Sequence, residues 1–167
     1  MVVISCDQGG TNISGYFLYF GGCAYDFKSW EDKNWTSHVE YTKNLLNEYK
    51  PKLFIFEECK QYSGNSKGFV NYHFRNVVKA GGAVEYVCHD LGISKYGIVN
   101  ANEWRTQKKA KEGEIPGLVL KRIKGPKGYP RNTWHFKDKV INEHEKDALI
   151  LFYMWNLKNG KTWPWTN

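Results

Sequence analysis

The sequence predicts one α/β domain spanning residues 1–167, with a mixed five-stranded sheet flanked by helices: a three-strand antiparallel meander followed by parallel strands. Three observations predict it. Short β-branched and aromatic runs separated by glycine turns open the chain, strand-length and helix-length segments then alternate, and the last long segment repeats its apolar positions every 3.6 residues. A chain of 167 residues buries enough surface to fold without disulfide or metal staples. With 41% hydrophobic and 16% aromatic residues, it belongs to the globular class.

Val2 to Cys6 is an apolar run that ends at Asp7, and the turn Asp7-Gln8-Gly9-Gly10-Thr11-Asn12 separates it from a second run, Ile13 to Phe20. Gly21-Gly22 supplies the next turn, and the alternating Ala24 to Trp30 reads as the third strand. Ser37 and Glu40 have capping-box spacing, which starts a first helix closed by Pro51. Leu53 to Phe56 is a continuous apolar run of strand length, ending at Glu57-Glu58. A second helix is expected from about Ser66 to Ala80, closed by Gly81-Gly82, with a fifth strand over Ala83 to Cys88. Two short helices, Glu103 to Glu112 and Leu118 to Lys124, and a loop from Gly125 to Pro130 lead to a final helix over Asn142 to Leu157.

Charge is distributed unevenly. Trp104 to Arg131 holds nine of the 24 Lys and Arg but two of the 17 acids, so the remainder carries 15 of each and this stretch accounts for the whole net charge of +7. A basic stretch beside a neutral body points to a polyanionic partner. The four cysteines form no CxxC pair and read as reduced and structural. No apolar run approaches the roughly 20 residues of a membrane helix. The N-terminus has no basic stretch of the signal-peptide kind, so a soluble, cytoplasmic protein is expected.

Polar groups stand at the ends of segments that otherwise read as buried: Asp7, Glu57-Glu58, and His144 with Asp147 on the inward stripe of the last helix. In an open sheet, neighbouring strands ending at one edge bring such groups together. Clustered carboxylates resist ionisation unless a cation offsets their repulsion. Oxygen donors suit Mg²⁺ or Mn²⁺, and two such ions can activate water for phosphodiester cleavage. The ordinary alternatives stay open for each residue: a turn Asp, solvated glutamates, a surface His. Asp147, flanked by Ala148 and Leu149, fits a solvated face least.

These motifs together resemble the RuvC-type Holliday-junction resolvases of the ribonuclease H-like superfamily, in a compact phage-type version. The family's first strand ends in Asp before a Gly turn and T/S-G-Y, here Asp7 and Ser14-Gly15-Tyr16; its second acid follows an apolar strand, here Glu57; its last helix carries D/H-x-x-D-A-L, here His144 to Leu149. The turn after Asp7 lacks the Pro and Arg common in cellular relatives. The resemblance implies a ribonuclease H-like fold and a structure-selective endonuclease that resolves four-way junctions. It makes Asp7, Glu57, His144 and Asp147 both the catalytic set and the ligands of two Mg²⁺ or Mn²⁺ ions, with Glu58 a rival for Glu57. It further implies a homodimer on branched DNA. Lys67, Phe69 and Tyr72 fall where the family approaches the crossover, and Arg105, Lys108, Lys109, Lys111, Lys121, Arg122 and Lys124 are the candidates for phosphate contact. Two other readings remain. The Asp7-Gln8-Gly9-Gly10-Thr11-Asn12 turn also resembles the phosphate-binding turn of actin-like sugar kinases, which would bind ATP, and a non-catalytic junction-binding protein would keep the basic stretch without the chemistry.

Overall fold

The structure, a computed structural model, describes residues 1–58, 72–99, 113–124 and 130–165. Its centre is a sheet of five strands: β1 (Val3–Asp7), β2 (Ile13–Gly21), β3 (Ala24–Glu31), β4 (Leu53–Glu58) and β5 (Ser94–Val99), in the order β3-β2-β1-β4-β5. β1, β2 and β3 are antiparallel neighbours, whereas β1, β4 and β5 run parallel. The expected mixed sheet is the one observed.

Strand alternation divides the core into two layers. Ile4, Cys6, Tyr16, Leu18, Phe54 and Phe56 face α1 (Trp35–Tyr49) and α2 (Tyr72–Asp90), meeting Leu45, Leu46, Val84 and Cys88. Val3, Phe17 and Ile55 face α3 (Glu143–Lys158) on the other side. Both faces are covered, which is why β4 reads as an unbroken apolar run. Asn142 caps α3 in a capping box with Glu145, and every residue from Ala148 to Asn156 is buried. A helix buried on all sides needs cover beyond one sheet. A second, three-stranded antiparallel sheet provides part of it: β6 (Leu118–Lys124), β7 (Pro130–Phe136) and β8 (Lys139–Ile141), in that order. Trp163 and Trp165 complete the layer around Phe136 and Phe152.

Three expectations are corrected. The helix expected over Leu118 to Lys124 is strand β6, paired residue by residue with β7; β-branched Val119 and Ile123 suit an extended edge strand, and only Leu118 is buried. The second helix does not close at Gly81-Gly82, and Ala83 to Cys88 is no strand: α2 continues through them to Asp90. A strand there would place Val84, Tyr86 and Cys88 on one face, yet Tyr86 is 71% exposed while Ala80, Val84 and Cys88 line up at helical spacing in the core. The stop signal is Gly92, at φ +65°, where the Ile93 amide donates to the Cys88 carbonyl. The first helix starts at Trp35 with Asn34 as its cap, and Ser37 instead accepts a hydrogen bond from the Trp30 indole. The helix expected over Glu103 to Glu112 lies outside the described residues.

Candidate active site

Asp7 ends β1 in register with Gly15 of β2, one residue beyond the Cys6–Phe56 pair that joins β1 to β4. Glu57 is therefore its counterpart at the end of β4, with the strand parity of Ile55 and hence of the α3 face. α3 crosses this edge. The Ser5 hydroxyl donates to the Ala148 carbonyl at 2.7 Å, and a Cβ on Gly15 would lie 2.1 Å from the carbonyl carbon of His144. Only glycine at position 15 lets the first turn of α3 rest on β2.

That close approach brings His144 to Asp7, with Nδ1 2.6 Å from Oδ2. The Asp7 side chain is 16% exposed and that of His144 34%. A bond this short suits Nδ1–H donating to a carboxylate, and the proton-accepting nitrogen of that tautomer is Nε2. Asp147 lies one position beyond Lys146, whose Nζ is 3.5 Å from its Oδ1. Lys146 is only 3% exposed; Nζ reaches the Glu143 carboxylate at 2.5 Å and sits 4.5 Å over the Trp134 ring, and the Trp134 indole donates to Glu143 at 2.8 Å. A buried ammonium with two carboxylates and an aromatic face has the partners its desolvation requires. Sequence reading passed over Lys146 because its neighbours in the chain give no sign of β7 arriving from above.

The turn after Asp7 is fixed from below. The Gly9 amide donates to Ser14 Oγ at 2.9 Å, Ser14 Oγ meets His38 Nδ1 at 2.7 Å, and His38 Nε2 lies 2.9 Å from the Asp32 carbonyl. The carbonyl can only accept, so it selects the Nε2–H tautomer and Nδ1 accepts from Ser14. Both glycines have a packing reason, since a Cβ on Gly9 would lie 2.3 Å from the Ile13 carbonyl oxygen and one on Gly10 2.4 Å from the Val77 amide nitrogen of α2. Both glycines are thus accounted for without a bound phosphate. Beside the turn, Gln8 Nε2 and Asn76 Nδ2 are buried donors with no hydrogen-bond partner among the described residues. A cleft of about 180 Å³ opens there between Gln8, Glu57, Glu85 and the bare backbone of Gly81 and Gly82.

Asp7, Glu57, His144 and Asp147 thus gather at one edge, from three elements. Their hard oxygen donors and one imidazole fit Mg²⁺ or Mn²⁺ in chemistry and in backbone placement. As the side chains stand, Asp7 is hydrogen-bonded to His144, and among the described residues no three potential ligands converge on one point. Burial pushes the Cys6 thiol well above its usual range, with the Asp7 charge adding to it, and burial lifts Cys88 to about 11. Both are inert core groups. Of the proposed phosphate contacts, Lys121, Arg122 and Lys124 are exposed on β6, more than a peripheral feature because β7 next to it is pinned to α3. Lys67, Phe69, Arg105, Lys108, Lys109 and Lys111 lie outside the described residues, and Tyr72 opens α2.

The sequence matches no protein-family model and no curated protein. Solved structures do match. RuvC of T. thermophilus in complex with Holliday junction substrate superposes at a TM-score of 0.59 with 17% identity, covering 96% of each chain. The chain has the fold of RuvC. A second structure, Thermus thermophilus RuvC, gives 0.52 at 16% identity over 96% of this chain and 98% of that one. YeaZ from Pseudomonas aeruginosa gives 0.50 at 11% identity, over 98% and 95%. At such identities the likeness is one of architecture: the α/β core, a mixed five-stranded sheet flanked by helices, is ribonuclease H-like. No described helix is long and apolar enough to cross a membrane.

Proposed function

We propose that this protein is a divalent-metal-dependent endonuclease that cuts branched DNA, four-way junctions first, as a homodimer. The observation that carries the reading is the 2.6 Å contact between Asp7 and His144, made across 137 residues of chain on a RuvC fold. Two such sites, one in each protomer, would serve the two symmetric cuts a four-way junction requires. The metal would be held by Asp7, Glu57, Asp147 and His144, and when bound it would supply an activated water and charge stabilisation at phosphorus. The chain's own groups do the rest. Asp7 fixes the tautomer and plane of His144, the Lys146 ammonium offsets the charge of Asp147, and the Gly9–Ser14–His38 chain keeps the Asp7 turn rigid. Lys121, Arg122 and Lys124, together with the basic residues before them in sequence, would neutralise phosphates and so make binding fall with salt.

Labelled four-way junctions, forks, flaps and linear duplex, each incubated with Mg²⁺, Mn²⁺ or EDTA, test the reading. Wild type is expected to cut the four-way junction fastest and only with metal. Asp7→Asn should lower cleavage by at least about a hundredfold while junction binding persists. Absence of cleavage on every branched substrate would sink the nuclease, and linear duplex cut first would sink the branch selectivity. Loss of nothing but ATP binding in Asp7→Asn would instead support the kinase-type turn.

A further inference from the structure

Beside His144 a second cleft, of about 460 Å³, runs between Ile13 of β2, the start of α3 and the residues Arg131, Thr133 and Trp134 of β7. It leads from the candidate site onto the small sheet. Register assigns that sheet two unlike faces. Leu118, Trp134, Phe136 and Ile141 point one way, toward the core, and Val119, Lys121, Ile123, Arg131, Thr133 and Val140 share the other. Val119 is 45% exposed, Ile123 42% and Val140 65%, while Lys121 and Arg131 are exposed cations. None of β6, β7 and β8 contains an acidic residue. Apolar side chains and unopposed positive charge interleaved on one face suit a strand that offers phosphates along its backbone and apolar sugar and base surface between them.

The face is also fixed relative to the chemistry. Trp134 is bound to Glu143 at 2.8 Å and capped by Lys146, so β7 and the helix start bearing His144 move together. We propose that one strand of the branched DNA reaches the Asp7–His144 site through this cleft, lying on the outer face of β6–β8, with Arg131 holding a phosphate close to the one that is cut. This rests on the nuclease reading above and adds to it the path of the substrate and a contact residue. A second copy of the chain is the poorer occupant. Pairing β6 edge to edge with its twin would set Lys121, Arg122 and Lys124 against one another, and like charges facing across a ladder oppose it.

The test measures binding of a fluorescent four-way junction to the full chain in EDTA, from 50 to 200 mM NaCl, for wild type, Arg131→Ala, Arg131→Lys and Lys43→Ala. Lys43 is an exposed cation of α1, on the opposite side of the main sheet, and controls for the loss of one charge anywhere. Arg131→Ala is expected to weaken binding about fivefold to tenfold at low salt and to flatten the log–log salt slope by about one, with Arg131→Lys near wild type in slope. Arg131→Ala indistinguishable from Lys43→Ala overturns the path while leaving the nuclease intact, provided wild type cuts the junction in Mg²⁺. A wild type that neither binds nor cuts overturns both.

Discussion

The two sheets of this protein solve different problems with similar residues. The centre of the main sheet is covered on both faces, so β1 and β4 carry buried residues at almost every position and their polar groups stand out at the edge where Asp7 and Glu57 end the strands. The small sheet is docked by one face, mainly through Phe136, and leaves Val119, Ile123 and Val140 exposed on the other. In the first, position is set by packing; in the second, the outer face is free to meet a ligand. On the proposed reading, chemistry sits where the doubly covered sheet ends, and the contact surface is the open face of the sheet that is docked by one side only.

The sharpest way to break that contrast is to undock the small sheet. Phe136 is fully buried, with ring centroids 5.1 Å from Tyr25 and 5.3 Å from Trp165. Phe136→Ala should cost about 3 to 5 kcal/mol in urea unfolding followed by tryptophan fluorescence. A change below about 1 kcal/mol would mean that the sheet is not held through this ring. Next in size is Gly15→Ala. Its Cβ collides with the backbone of His144, so α3 must lift, at about 1 to 3 kcal/mol or more. Cleavage should fall tenfold or further beyond what lost stability explains, because Asp7 and His144 part. A Gly15→Ala enzyme with normal turnover would show that the close approach does not set the site.

The same contrast explains what the sequence disclosed. The strands β1 and β4 are legible because double-sided burial writes an apolar run ending in Asp7 or Glu57, and the α3 motif is legible because His144 and Asp147 share the stripe that the apolar residues after Asp147 continue. The small sheet is not legible, since Lys121, Arg122 and Lys124 carry no alternation and helix and edge strand read alike when one face is solvent. Gly81-Gly82 misled for a different reason. Glycine stops a helix only where φ turns positive, as at Gly92, and inside α2 its cost of about 0.5 to 1 kcal/mol per residue is offset by Ala80, Val84 and Cys88 in the core. Lys146, Trp134 and the Ser14–His38 pair depend on partners distant in sequence, which no local pattern records.

The smallest effect concerns how the small sheet's far end is tied down. Lys139 of β8 reaches Asp26 of β3 at 2.6 Å, with Lys28 also 3.2 Å from that carboxylate. Burial raises the Asp26 pKa, but hydrogen bonds from Lys139, the Phe27 amide and Lys28 together outweigh it and hold the group below its ordinary 3.8. A carboxyl whose folded pKa is lowered contributes stability above its unfolded pKa, and loses it as pH falls through the folded value. Asp26→Asn should therefore lower Tm at pH 6 by no more than about 3 °C, since the pair is largely solvated and screened. The gap should narrow as pH drops toward 3.8, close below the folded-state value, and shrink with added salt at neutral pH. A gap that persists unchanged into strong acid would assign Asp26 a packing role in place of an electrostatic one, and the far end of the small sheet would then be anchored by its apolar face alone.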